Sequence, residues 1–295
     1  MLARARRYFA ANDVLAVDTP SLSPSAPTDR HIDSLSLKES GPFLQTSPEF
    51  HMKRMLAAGY PDIYSICRVF RGGETGRTHL SEFTMIEWYR HSMRLGAIVQ
   101  DTVQLIAAIL GRSDLLKSVF RQDYAAAFVD GIGLDPSTAG LDELAGAAVA
   151  DNSLRDALAD DRDAWLDLIL VTRIAPEFRN DRLTVIQHYP ASQAALARIC
   201  PDNAMVADRF EVYYGTLELA NGYVELTDPD EQARRMDHDL DARRARNLPE
   251  VPRDEQLIAA LKSGLPDCAG VALGFERLHM IDAAVDDIRN VVSFV

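Results

Sequence analysis

The chain has 295 residues, 47% of them hydrophobic and 25% charged, enough for one large core or for a core with an inserted subdomain. Its 44 acids against 31 bases leave a net charge of −13, a field that opposes nucleic acid. The three cysteines, Cys67, Cys200 and Cys268, form no C-x-x-C pair and no apolar run reaches about 18 residues, so neither a disulfide framework, a zinc spacing nor a membrane span is read, and a cytoplasmic location is expected.

The basic opening Met1 to Arg7 leads into a mixed segment rather than an apolar one, which argues against a secretory leader. A helix is predicted over Leu2 to Asn12, then a strand through Val14 to Val17 and a Pro-rich irregular stretch from Pro20 to Pro27. After a strand at Phe43 to Thr46, Ser47 reads as an N-cap, Pro48 as the first helical residue and Glu49 as the complement of the positive helix end, with Gly59 closing the helix. Strands are expected at Ile63 to Phe70 and Thr84 to Arg90. Apolar residues then recur at helical spacing from Leu95 to Leu110. The stretch from about 111 to 181 reads as a helical insertion, with helices near Asp142 to Ala150 and Asp161 to Ile174. Strands resume at Leu183 to Gln187, Phe210 to Tyr214 and Leu217 to Leu226. Helices follow at Pro229 to Asn247, capped by Asp228, and at Asp254 to Ser263, ahead of a Gly-punctuated strand and a helix carrying Arg277. Together these predict one α+β domain over residues 1–295 with a mainly antiparallel sheet.

Two segments carry chemistry. Arg68-Val-Phe-Arg71-Gly-Gly-Glu74-Thr-Gly-Arg-Thr-His79-Leu-Ser-Glu82-Phe83-Thr-Met-Ile-Glu87-Trp-Tyr89 reads as a strand, a cationic Gly-rich loop and a returning strand. Its arginines suit phosphate and Phe83 offers a face to a base. Gly270-Val-Ala-Leu-Gly274-Phe-Glu-Arg277-Leu278 supplies a second arginine that closes on the same anion. On alternation, Phe83, Glu87 and Tyr89 share one face, with Glu49 at the neighbouring helix start, a set suited to an ammonium group, while Trp88 points away and packs. Glu218 and Glu225 are seven residues apart, an odd separation that sends them to opposite faces of a straight strand. A tight turn at Asn221-Gly222, or a bulge, would bring them together to hold a magnesium ion. His51 is read as a packing or surface residue, and the Arg243 to Arg246 run as a solvated helix face or a docking point for a partner protein.

These segments resemble motifs 2 and 3 of the class II aminoacyl-tRNA synthetases, and Arg4 to Pro20 is a weaker match to motif 1. Thr46 to His51 and Glu218 to Leu226 are most similar to the lysyl subgroup. More narrowly, the chain resembles the truncated lysyl-tRNA synthetase paralogues that attach β-lysine to a lysine of elongation factor P. That family lacks the N-terminal anticodon-binding domain, so tRNA is not the expected acceptor.

The resemblance implies an AMP-forming ligase that uses ATP and Mg2+ to activate lysine or β-lysine. It assigns catalysis to Arg71, Arg277 and Glu218. ATP contacts fall to Arg71, Gly72, Gly73, Glu74, His79, Phe83, Glu218, Leu219, Gly274 and Arg277. The amino acid falls to Ser47, Pro48, Glu49, Glu87, Tyr89 and Glu225, and the metal to Glu218 and Glu225. It also implies a homodimer through motif 1. The subgroup's Arg-Asn-Glu and His-Asn-Pro-Glu-Phe read here as Arg71-Gly72-Gly73 and His79-Leu80-Ser81-Glu82-Phe83, so Glu74 is expected to replace the displaced acid. Two other readings stay open: a ligase acting on tRNA or a small amine, and a silent regulatory paralogue.

Overall fold

The computed structural model describes residues 1–38 and 41–294. An eight-stranded sheet runs β1 (Leu15–Ala16), β4 (Ile63–Phe70), β5 (Glu82–His91), β10 (Cys268–Gly274), β9 (Leu217–Val224), β8 (Arg209–Tyr214), β7 (Leu183–Gln187) and β6 (Phe120–Asp123). Its two outermost pairs, β1 with β4 and β6 with β7, are parallel, and all the others are antiparallel. Two short strands, β2 (Leu22–Ser23) and β3 (Phe43–Leu44), pair separately.

Strand alternation separates the two faces of this sheet. Ile86 and Trp88 of β5, Val271 and Leu273 of β10, Ala220 and Val224 of β9, and Phe210 and Val212 of β8 form the back face. Helices α1 (Leu2–Ala11) and α3 (Leu95–Leu110) cover it, and the buried Trp88 donates its indole N–H to Asp101 on α3 at 2.9 Å. Each buried aromatic or branched side chain there contributes about 1.5–3 kcal/mol, so this side anchors the fold. At one end of the front face, α2 (Glu49–Ala57), α8 (Pro229–Ala245) and α9 (Glu255–Gly264) pack over Ile63, Tyr89 and Cys268. The centre of the front face is left open as a trough.

The insertion departs from the expected helical subdomain. It holds α4 (Tyr124–Ile132), α5 (Leu141–Ala147), α6 (Asn152–Leu158) and α7 (Arg162–Ile169) around its own core, but it also contributes β6 to the sheet edge. Helix α7 runs on through a wider turn at Leu170–Ile174. The chain finishes through α10 (Phe275–Ala283). Helix α8 is capped by Asp228, which accepts from the amides of Asp230 and Glu231. The basic run at its end is not a solvated face throughout: Arg243 is buried, donating to the carbonyls of Asp29 and Pro249. Among the described residues no helix is long and apolar enough to cross a membrane.

Candidate active site

Cross-strand register sets two rows of residues on this face, and their middle members line the trough. One runs Ser65, Glu87, Ala272, Asn221 and Glu211; the next runs Ile63, Tyr89, Gly270, Tyr223 and Arg209. Strand β10 supplies only small residues at the middle of both rows, which is what keeps the trough deep. Two adjoining cavities of about 160 and 270 Å³ result, and Arg71, Asn221 and Ala272 line both.

The first cavity holds Ser47, Glu49, Glu87, Tyr89, Tyr223 and Glu225. Pro48 does not line it. It takes the N-cap position of α2 that was expected of Ser47, one residue later than predicted. Ser47 still accepts from the Glu49 amide at 2.9 Å, and its hydroxyl donates to Glu87 at 2.7 Å. Tyr89 donates to the other oxygen of Glu87 at 2.7 Å, and Tyr223 to Glu49 at 2.9 Å.

At the floor lies a residue that the sequence reading passed over. Lys53, 1% exposed, sits one turn after Glu49 and places its ammonium 2.6 Å from Glu49 Oε1 and 2.6 Å from Glu225 Oε2. Burial alone would lower its pKa, but Glu225 and Glu49 outweigh that and hold it firmly protonated. Its place was legible only as an i,i+4 partner of Glu49; Glu225 arrives from the other end of the chain.

Even with Lys53 present, the cavity is overcharged. Burial, reinforced by the charge of Glu49, pushes Glu87 up to about 7. Burial also drives Glu225 up to about 8, against the pull of Lys53. Glu225 Oε1 is buried and receives no hydrogen bond. An unpaired carboxylate oxygen of this kind costs about 1–3 kcal/mol and calls for a donor. Gly270 leaves the space for it, because a Cβ there would lie 2.4 Å from Glu225 Oε1 and 2.4 Å from Tyr89 Cε1. We expect Gly270→Ala to raise KM for the amino acid by about 100-fold, equivalent to about 2.7 kcal/mol, while leaving KM for ATP within about twofold. Equal changes in both constants would mean that this glycine does not shape the amine end.

The second cavity collects Arg71, Glu74, His79, Leu80, Phe83, Glu218, Leu219, Gly274 and Arg277. Arg71 lies 5.3 Å above the Phe83 ring and 3.5 Å from Glu74. Arg277 donates to the Glu218 carbonyl at 2.7 Å and contacts His79 Nε2 at 2.7 Å. Since a guanidinium only donates, His79 is neutral with its proton on Nδ1. Burial and then the charge of Arg277 lower its pKa in agreement. Gly72 and Gly73 do not line the cavity. The Gly72 amide is tied to the Asp33 carbonyl at 2.8 Å, and Gly73 turns the loop at φ +70°. Arg68 is also outside, exposed between Glu82 and Glu276.

The acidic pair needs correction. No turn occurs at Asn221-Gly222, because β9 runs straight through both residues. Instead Leu219 is a bulge: Ala220 pairs with Val212 and Glu218 with Tyr213, leaving Leu219 unopposed. The bulge does put Glu218 on the same face as Glu225, but the two line different cavities, with Asn221 and Tyr223 between them. They do not form the shared metal pair expected from sequence, and Glu225 is committed to Lys53. The acid that feels Glu218 is Glu211, buried and raised by desolvation first and by the Glu218 charge second. Glu211 accepts from Arg209 at 2.8 Å and from Tyr213. Neither Glu211 nor Arg209 was singled out from sequence, since each reads as an ordinary alternating strand residue.

Comparison with known proteins agrees with this geometry. The profile of the class II tRNA synthetases (D, K and N) matches residues 1–295. A protein of Pseudoalteromonas translucida (strain TAC 125) named elongation factor P–(R)-β-lysine ligase is 42% identical, across 98% of this chain and 91% of its own length. Proteins of the same name from Klebsiella pneumoniae (strain 342) and Yersinia enterocolitica are each 41% identical, across 100% of this chain and 92% of theirs. The chain belongs to the class II tRNA synthetases of the D, K and N type, and within them to the family of the elongation factor P–(R)-β-lysine ligases.

Proposed function

We propose that this enzyme activates (R)-β-lysine with ATP as an aminoacyl-adenylate and transfers the acyl group to a lysine side chain of elongation factor P. One observation carries the reading. The trough joins an amine cavity, whose floor sets Glu49, Glu87 and Glu225 beside the phenols of Tyr89 and Tyr223, to a cavity holding Arg71 and Arg277, with Arg71 and Asn221 at the join. A diamino acid laid along it would have an ammonium at the acidic end and its carboxylate facing the arginines.

The carboxylate is already a nucleophile at neutral pH. The chain's contribution is therefore to align two anions and to stabilise charge that develops at the α-phosphate, which Arg71 and Arg277 supply from fixed positions. Phe83, with a guanidinium above it, gives adenine a stacking surface. The residues present fit a hard cation. Glu218 is partly exposed at the phosphate cavity, and its repulsion of Glu211 is a like-charge conflict that a divalent ion relieves. Magnesium, bound there with ATP, would neutralise phosphate charge. In the second step the acceptor amine, with an ordinary pKa of about 10.4, must shed its proton before attacking the adenylate. The family's named acceptor is a translation factor, so we place the enzyme in the cytoplasm; the homodimer through Leu2 to Pro20 is proposed from the motif 1 resemblance alone.

The test is ATP–pyrophosphate exchange with α-lysine and both β-lysine enantiomers, followed by incubation with elongation factor P and intact mass measurement. Preferential exchange with (R)-β-lysine and a one-residue mass gain on the factor are expected. Exchange without a mass gain would remove the acceptor, and no exchange with any diamino acid would remove the activation step.

The pKa values of the amine cavity add a pH signature. An arriving ammonium favours ionised Glu87 and Glu225, so binding near pH 7 should release protons and tighten as pH rises through about 7 and about 8. Calorimetry in buffers of different ionisation enthalpy reads this directly; heats independent of buffer would rule it out. In the free enzyme the sign reverses for stability. The folded chain keeps two protons that an unfolded one releases near 4.5, so these groups cost stability as pH climbs from there to about 7 and 8.

A further inference from the structure

The geometry points to a zinc site, outside the trough, built from His188, Cys200 and Asp208. One ligand atom from each lies within 4.8 Å of the other two, and all three side chains are at least partly shielded from solvent. Imidazole, thiolate and carboxylate together form a borderline-soft set that selects zinc over magnesium or calcium, with a fourth tetrahedral position left for water.

Four further features support a metal rather than a chance cluster. His188 Nδ1 is 2.9 Å from Asp123 Oδ1, an oxygen that also takes the Gln187 amide at 3.0 Å. A carboxylate on one ring nitrogen fixes the tautomer and leaves Nε2 as the basic ligand, the usual support for a zinc-bound histidine. Both Arg198 bonds to Asp208 fall on Oδ2, at 3.2 and 2.8 Å, so among the described residues Oδ1 has no side-chain donor. Charge agrees as well: Asp123, Asp208 and a Cys200 thiolate against Arg198 leave two negative charges, which a divalent ion cancels. His188 also holds a left-handed backbone at φ +56°, uncommon for a residue with a side chain, and its amide donates to the Arg209 carbonyl at 2.9 Å.

The site would be structural. His188 and Asp208 bracket an irregular segment that has Cys200 within it, and the same segment contributes Ala195 and Leu196 to the wall of the amine cavity. Zinc would staple both ends of that wall together. No cysteine or histidine spacing announces the site, because its ligands meet only when β7 and β8 pair.

The experiment uses tag-free full-length protein, stripped with a chelator and then titrated with zinc alone against a chromophoric competitor, with cobalt as a spectroscopic probe. One zinc per chain is expected, with a thiolate-to-cobalt charge-transfer band that persists in Cys67→Ser and vanishes in Cys200→Ser. Asp123→Asn, which spares all three ligands, should weaken zinc about 10–100-fold. Circular dichroism confirms that each variant is folded. Zinc uptake by the wild type no greater than by folded Cys200→Ser, or a cobalt spectrum without the thiolate band, would overturn the site.

Discussion

Replacing Arg277 with alanine is expected to lower the rate of amino-acid activation by about 100- to 1,000-fold in pyrophosphate exchange, with the fold intact. The guanidinium is pinned on three sides, by the Glu218 carbonyl at 2.7 Å, the Thr78 carbonyl at 3.3 Å and His79 at 2.7 Å. A donor held in that way meets developing phosphate charge without first reorganising. Its stem leaves α10 at the surface of the second cavity, so truncation opens no void in the core. Arg277→Lys should not restore activity, because a point charge on a flexible stem cannot keep those three contacts and also address phosphate. A loss below about tenfold would mean that the residue serves only to hold His79 and Glu218 in place.

Lys53→Met should give the largest stability loss of any single change at the site, about 3–5 kcal/mol in urea unfolding above about pH 8, where Glu225 is ionised, because it leaves the buried Glu225 and the half-buried Glu49 without their cation. Adding Glu225→Gln removes one of the stranded charges and should recover part of the loss. A single variant less than about 1 kcal/mol weaker than wild type would show that the two acids simply take up protons. If so, the ammonium would not be what holds the cavity floor.

Much of this site was legible in the sequence. The alternation Phe83, Glu87, Tyr89 put three side chains on one face, and the structure finds that face lining the trough. Trp88, on the opposite phase, packs against α3. Helix punctuation at Asp228 and Gly59 marked its elements to within a residue or two. What escaped depends on contacts between distant parts of the chain. Lys53 looked like one more charge on an amphipathic helix until Glu225 came to rest against it. Glu211 matters because the register of β8 on β9 sets it near Glu218. The edge strand β6 is four residues long with mostly exposed side chains, and only its pairing with β7 identifies it.

The unopposed Leu219 acts as a phase shifter in β9. Without it, strict alternation from Tyr223 and Asn221 would turn residue 218 toward α3, among Val212, Ala220 and Leu273, where a carboxylate has no water and no partner. One extra residue lets a single strand serve the amine at one end and the phosphates at the other. The distance from Glu225 to Glu218 is therefore counted in residues as well as ångströms: an indel between them would exchange an acid for a hydrophobe in the trough even if every other contact survived.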